Sequence, residues 1–401
     1  MVEKVKKLKV FVTDAQMRSS LAVIRSLGRR GLEVTGGEET RFATGFFSKY
    51  CKHGVVYPSP RKNQDCFLEY MKELVTNNEY EVIFPMTDYT VIPIVKHKKE
   101  LSKHTIVPFS DYDILINAID KAKTLRIAME NNIPCPKTHF INKLSDIGDI
   151  KDNLVYPVII KPAKGFGARG VELCKSYEEL RLKSREVYAV HGSFLVQEYI
   201  PHGDEVGVYA LFNFDSEPRA VTVQRRIRSY PVSGGPSTLR ETIKDGITKE
   251  AVEIAFKLLK ALRWVGVAMV EFRVDQRDNI PKLMEVNPRF WGSLQLSILA
   301  GVDFPYLLYK LVTEGDIEPV VDYKEGVKCR WLLPGDILWF LSAPNKIGNL
   351  REFCRFRTNY DIISLEDPGP TFGFVMATAK YLFDREMWKF IIRKPIKEEG
   401  K

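Results

Sequence analysis

Short apolar runs alternate with amphipathic stretches through the first hundred residues. Leu8–Val12 is a β-branched apolar run and predicts a strand. Ser19–Arg30 follows with Leu21, Ile24 and Leu27 at helical spacing, and Gly28 and Gly31 close that helix. Leu32–Thr35 begins a second strand. Tyr70, Leu74 and Tyr80 mark another helix, which leads into the strand Val82-Ile83-Phe84-Pro85, and Ile106-Val107-Pro108 reads as a further strand end. Strands alternating with helices predict an α/β fold, with a parallel sheet and helices on both faces. Ligands of such sheets sit at the carboxyl ends of the strands. Thr13-Asp14 and Met86-Thr87-Asp88 occupy such ends, where the two aspartates either face a ligand or cap helices.

The pattern changes near Asp111 to Asp120. Asn132-Ile133-Pro134-Cys135-Pro136 ends the next helix, since proline cannot continue it. Tyr156–Pro162 is a buried strand that ends in Lys161. Phe194–Phe214, Arg219–Arg228 and Val265–Glu285 predict a second group of strands. From about Asp316 the periodicity weakens. The expected units are therefore residues 1–115, 116–192, 193–315 and a C-terminal extension, 316–401.

Composition narrows the class. Hydrophobic residues are 45% and charged residues 28%, ordinary values for a folded globular chain and wrong for a disordered one. No apolar run reaches the roughly 18 residues that cross a bilayer. The start carries Lys4, Lys6, Lys7 and Lys9 before a brief apolar run, unlike a signal peptide, so a cytoplasmic location is expected. Lys and Arg total 60 against 51 Asp and Glu, a net charge of +9 that favours anionic partners in general. Cys51, Cys66, Cys135, Cys174, Cys329 and Cys354 form no C-x-x-C pair, which argues against a zinc site or disulfide framework.

Four constellations carry chemistry. Ile159-Ile160-Lys161-Pro162-Ala163-Lys164 runs into a loop with Gly165, Gly167 and Gly170, then Val171-Glu172-Leu173. Glycines let backbone N–H groups approach an anion, and Lys161 and Lys164 would balance its charge. No helix opens behind these glycines, so the loop is neither a P-loop nor a dinucleotide fingerprint; a plain structural turn is the other reading. Second, the strand ending in Gln197-Glu198-Tyr199-Ile200 could offer a backbone edge to a purine, and Glu205 lies downstream where it could hold ribose hydroxyls; two solvated glutamates are the other reading. Third, Arg225, Arg226, Arg228 and Arg240 converge on a segment with Gly234 and Gly235. Guanidinium forks suit carboxylate and phosphate oxygens, and a solvated basic loop is the other reading. Strand alternation predicts Gln224, Arg226 and Arg228 on one face, which favours Arg226 and Arg228 over Arg225 as substrate contacts. Fourth, Glu271 sits in an apolar strand, and after a turn at Asp278-Asn279 come Glu285, Asn287 and Arg289. Adjacent antiparallel strands would set Glu271 beside Glu285, with Asn287 on the same side. Two such carboxylates need a proton or a cation between them. Their oxygen ligands point to Mg²⁺ or Mn²⁺, unless Arg273 and Arg289 pair with them instead.

The order of these motifs resembles the ATP-grasp superfamily, in particular its carboxylate-amine ligases. The likeness covers about residues 1–315. Glu285-Val286-Asn287-Pro288-Arg289 is similar to the corresponding motif of carbamoyl-phosphate synthase large chains and biotin carboxylases. The segments 21–31 and 225–240 resemble ATP-grasp enzymes similar to D-aspartate ligase, some of which serve cell-envelope assembly. The resemblance implies a Rossmann-like N-terminal domain, then a two-lobed ATP-grasp fold, with 116–192 as the small lobe and 193–315 as the large one. It implies ATP and Mg²⁺ (or Mn²⁺) as cofactors. Lys121 and Lys161 match nucleotide-contacting lysines, and Lys164, Gly165, Gly167 and Gly170 the phosphate lid. Gln197, Glu198, Tyr199 and Ile200 match the adenine hinge, and Glu205 the ribose ligand. Glu271, Glu285 and Asn287 match the metal ligands. Arg289 matches the arginine that meets the transferred phosphoryl group. The chemistry implied is attack of a substrate carboxylate on ATP, giving an acyl phosphate that an amine converts to an amide or peptide bond.

Other readings are a carbamoyl-phosphate-synthase-like enzyme and a non-catalytic ATP-binding subunit. Nucleic acid is disfavoured as a partner, because the arginines cluster in one glycine-containing loop rather than beside an aromatic platform. Small-molecule acids and amines are the expected partners, and a homo-oligomer is compatible with the chain. At the C-terminus, Lys380, Arg385, Lys389, Arg393, Lys394 and Lys397 interleave with Tyr381, Leu382, Met387, Trp388, Ile391 and Ile392. Such a basic, aromatic stretch packs against the rest of the chain or lies on an anionic membrane surface.

Overall fold

The structure is a computed structural model that describes residues 8–163, 170–201, 203–232, 235–355 and 357–381. Three sheets account for its strands. The first contains β1 (Lys9–Val12), β2 (Glu33–Glu38), β3 (Cys51–Val56) and β4 (Val82–Phe84), in the order β3-β2-β1-β4, all parallel. Val10, Phe11 and Val12 are fully buried, as a central strand covered on both faces requires. Helix α1 (Arg18–Arg29) turns Leu21, Ile24 and Leu27 inward, α2 (Gln64–Asn78) buries Phe67, Met71 and Leu74, and α3 (Asp88–Lys96) follows β4 directly. The expected strand end at Ile106 makes only an isolated bridge to Val82.

The second sheet contains β5 (Thr138–Ile141), β6 (Val158–Pro162), β7 (Glu172–Cys174) and β8 (Phe194–Glu198), in the antiparallel order β5-β8-β6-β7. It has its own core, built from Val158, Ile160, Phe194 and Val196 against Leu180 and Val187 of the helix Tyr177–His191. Because β8 pairs with β5 and β6, the passage to the next sheet falls after Glu198, later than the division at 192/193 expected from sequence.

The third and largest sheet orders β9 (Glu205–Phe212), β10 (Pro218–Ser229), β11 (Ser237–Thr242), β12 (Gly266–Val274), β13 (Pro281–Asn287), β14 (Lys328–Arg330) and β15 (Asn359–Tyr360) as β13-β12-β9-β10-β11-β14-β15. The segment beyond 316 is thus no detached appendage: it adds two strands to this sheet. Its last described helix, Gly369–Tyr381, packs on Phe47, where a Cβ at Gly369 would collide with the Phe47 carbonyl oxygen. One continuous apolar core runs from Val10–Val12 to Val208, Val270 and Trp291, so the first and third sheets share an interior. No helix among the described residues is long and apolar enough to cross a membrane. The basic residues from Arg385 to Lys397 lie outside the described residues.

Candidate active site

The hairpin β12–β13 sets Glu271 directly opposite Glu285, and Met269 opposite Asn287. Asn287 lies two residues from Glu285 and projects from the same face. Its Nδ2 donates to Glu285 Oε1 at 3.2 Å and to Glu271 Oε1 at 3.4 Å. Burial and the facing Glu285 push Glu271 up to about 7. Burial also acts on Glu285, but Lys121, the Asn287 amide and Lys161 outweigh it and hold that carboxyl below its ordinary value. Lys121 opens the helix Lys121–Glu130 and brings Nζ to 3.4 Å from Glu285. Burial pulls Lys161, near the end of β6, down to about 8, and Glu285 opposes the shift. Neither Arg273 nor Arg289 pairs with the two glutamates: Arg273 binds Glu205 at 2.8 Å, and Arg289 binds Asp88.

The Arg289 contact crosses between sheets. Asp88 lies in the first turn of α3 and accepts from Arg289 Nε at 2.9 Å and Nη2 at 3.0 Å, a bidentate fork. Nη2 also donates to Asn287 Oδ1 at 3.3 Å. Burial alone would lower the Arg289 pKa; Asp88 raises it above the ordinary value, so the guanidinium is firmly charged. Asp14 is no helix cap. It adopts φ +54° and accepts from Thr13 Oγ1 at 2.5 Å, Thr90 Oγ1 at 2.6 Å and Thr87 Oγ1 at 3.1 Å. Glu38, at the end of β2, is pushed up to about 7 by burial and by Asp14.

On the opposite flank, Glu205 lies between Arg226 at 2.5 Å and Arg273. Arg226 also comes within 3.9 Å of Glu271. Gly207 stands opposite Glu271 on β9; a Cβ there would approach the Tyr209 hydroxyl to 2.7 Å.

A family model described as ATP-grasp in the biosynthetic pathway with Ter operon matches residues 191–333. The D-alanine–D-alanine ligase of Caldicellulosiruptor bescii is 26% identical over 66% of this chain and 79% of its own. Residues 191–333 thus match an ATP-grasp family, and the relatives mark the chain as an ATP-dependent ligase. The D-aspartate ligase of Enterococcus faecium is 25% identical over 58% of both chains, so that relative is matched over little more than half its length. In fold, the biotin carboxylase of Campylobacter jejuni, solved as a β-γ-ATP complex, superposes with a TM-score of 0.68 over 80% of this chain and 74% of its own, at 17% identity.

Within the ATP-grasp frame, the candidate residues fall into three groups. Lys121, Lys161, Glu271, Glu285, Asn287, Arg226 and Arg289 converge. The residues expected at the adenine hinge make other contacts: Glu198 accepts from Arg277 at 2.6 Å and from the Lys137 amide at 3.2 Å, and the Ile200 carbonyl accepts from Arg273 at 3.3 Å. Tyr199 lies between them, just past the end of β8. Gln197 is buried and donates to Thr138 Oγ1 at 2.8 Å, which ties β8 to β5 rather than facing the site. Gly170 has φ +72°, and a Cβ would crowd Pro162 and His191, so glycine is required there. Lys164, Gly165 and Gly167 lie outside the described residues.

Arg228 departs from expectation. Arg226 is paired in register with Arg240, but Arg228 is paired with Leu239, because a bulge intervenes. Neighbouring residues of β11 face opposite ways, so Arg226 and Arg228 do too. Arg228 instead binds Asp336 at 3.1 Å and stacks over Trp339 at 4.2 Å. Arg225 pairs with Glu241 at 2.6 Å. Sequence reasoning did not single out Arg18, Glu38 or Asp361, and placed Asp88 at a ligand edge without its arginine.

The residues suit a divalent cation and nucleotide phosphates. The carboxylate oxygens of Glu271 and Glu285, with Asn287 beside them, form an incomplete set, as suits a Mg²⁺ or Mn²⁺ ion that takes its other ligands from phosphates and water. Among the described residues, no cluster of three or more His, Cys, Asp or Glu offers an all-protein metal cage.

Proposed function

We propose that this ligase activates the carboxylate of one small molecule with ATP and joins it to the amine of another, at least one of the two being an amino acid. The observation that carries the reading is the facing Glu271–Glu285 pair with Asn287 between them, bordered by Lys121, Lys161 and Arg289. A bound Mg²⁺ or Mn²⁺ would neutralise phosphate charge during transfer. Lys161 and Lys121 would hold the nucleotide phosphates. Arg289, clamped by Asp88, would meet the transferred group with a fixed, charged fork. Glu198, Tyr199 and Ile200 would border the adenine, and Glu205 would turn an oxygen to the ribose while keeping Arg273. No protein nucleophile is needed, since the substrate carboxylate attacks phosphorus and the amine then attacks the acyl phosphate. The similarity to ligases of D-alanine and D-aspartate supports an amino-acid substrate and a place in cell-envelope precursor synthesis, in the cytoplasm.

The test is ADP release with Mg-ATP across D- and L-amino acids and envelope precursors, in pairs. ADP formation that needs both an acid and an amine supports the ligase. Release with bicarbonate and ammonia alone would favour the carbamoyl-phosphate reading. ATP binding without release in any arm would favour a non-catalytic subunit.

A further inference from the structure

Two guanidinium groups share one buried carboxylate beside the candidate site. Arg18 Nη1 lies 3.0 Å from Asp361 Oδ2, and Arg240 Nη2 donates to Asp361 Oδ1. The three side chains are 11%, 1% and 1% exposed. Cys329 lies against Asp361 and Arg240, but burial pushes its thiol up, so it stays neutral. The group therefore holds one positive charge in excess. Two donors of Arg240, Nε and Nη1, are buried and meet no acceptor among the described residues. An unsatisfied buried donor costs about 1–3 kcal/mol, more when charged. Burial also pulls Arg18 down to about 10.

The group borders the reaction centre on two sides. Arg240 is the register partner of Arg226, which reaches Glu271. The Arg18 guanidinium lies against Gly292, where a Cβ would come within 2.8 Å of Nη2, and covers the Trp331 ring at 4.2 Å. Gly292 is five residues beyond Asn287, in the turn that leaves β13. Gln224 belongs to the same face of the sheet as Arg226, and its buried Oε1 also lacks a donor.

We infer that Arg18 and Arg240, held apart by Asp361, form the anchor for an oxyanion of the amine-bearing substrate, a carboxylate or a phosphate. This rests on the ligase reading and adds a subsite to it. The anion would supply the acceptors that Arg240 lacks and neutralise the excess charge, and Arg18, the member that reaches solvent, would admit it. An amine on the same molecule would then project towards Gln224 and Glu271.

Calorimetric titration of the full chain, saturated with Mg-ADP to fill the nucleotide phosphate positions, tests this. Acetate and inorganic phosphate are titrated separately against a chloride background of constant ionic strength. One of them should bind one-to-one, which identifies the oxyanion. Arg18→Gln should weaken it at least about tenfold, the scale of a lost charge-assisted bond, and Arg18→Lys should restore part of the affinity. Without the anion, Arg18→Gln should melt within about 2 °C of the parent, since it leaves Arg240 and Asp361 evenly matched. Equal anion affinity in parent and Arg18→Gln would overturn the proposal. So would loss of stability in Arg18→Gln with no stabilisation of the parent by either anion, because Arg18 would then be purely structural. The ligase reading would survive both results, since it stands on ADP release.

Discussion

Replacing Asp88 with Asn should slow catalysis far more than it loosens nucleotide binding. The substitution keeps the volume and one acceptor oxygen, but removes the negative charge and half of the fork that grips Arg289. Asp88 and Arg289 are 13% and 23% exposed, so solvent screens part of the interaction. A fully buried pair broken on one side loses about 3–5 kcal/mol, and an exposed one about 0–1. This pair lies between, at about 1–3 kcal/mol. Arg289 would remain charged but no longer be aimed, while still within reach of Asn287. Partners that orient a catalytic group are typically worth about 10–100-fold, or about 1.4–2.8 kcal/mol of barrier. Steady-state ADP release with the acid–amine pair found in the screen should show kcat down by that factor. KM for ATP should stay within about threefold, because uniform binding is little affected. Asp88→Glu should recover part of kcat. A kcat within twofold of the parent in Asp88→Asn would refute the argument that Arg289 acts from a position fixed by the first sheet.

Glu285→Gln should retain nucleotide binding and lose most turnover, because Glu271, Glu285 and Asn287 can hold a divalent cation only with their charge intact; full steady-state activity would sink the metal assignment. Glu271, raised from an ordinary value of 4.5 to about 7, keeps its proton in the folded chain over a window where the unfolded chain has lost it. Without metal, its contribution to stability should therefore fall as pH rises from about 4.5 to 7; melting scans should show Mg²⁺ stabilisation growing between pH 6 and 8, and a pH-independent Mg²⁺ effect would count against the pair. Asp367→Asn should cost about 3–5 kcal/mol, since buried Asp367 holds Arg25 at 2.9 Å, Ser48 at 2.7 Å and the Lys49 amide. Neighbouring Glu366→Gln, half-exposed against Arg29, should change stability by about 0–1 kcal/mol, as urea melts would show.

The elements that sequence reveals are those whose neighbours in the chain determine them. β1 and β6 announce themselves as apolar, β-branched runs. The Glu271–Glu285 pairing is legible only in outline: one short turn joins the two strands, but a bulge next to Phe272 shifts the register so that Glu285, not Met284, faces Glu271. Arg228 was misplaced because a second bulge reverses the alternation, and nothing in Arg226-Ile227-Arg228 marks it. β14 and β15 span three and two residues, too short for any periodicity to register. The membership of β8 in the second sheet depends on pairing with β5, more than fifty residues away. Asp361 and Asp367 bind Arg18 and Arg25 across more than three hundred residues, which no local pattern records. Asp88 was visible as a strand-end carboxylate, but its arginine lies two hundred residues downstream.

The clasp around Arg25 sets an order of events during synthesis. Arg25 sits on α1 and is 2% exposed when folded. Its guanidinium donates to Asp367, to the Asp361 and Ile362 carbonyls, and to the Asp367 carbonyl. All of these acceptors lie more than three hundred residues further along the polypeptide. While the ribosome is still making the middle of the chain, α1 can form on β1, but Arg25 has none of its final partners and must stay hydrated. Its helix face therefore cannot close until residue 367 has left the exit tunnel. A chain cut short near residue 315 would therefore leave the first sheet carrying an open, cationic flank.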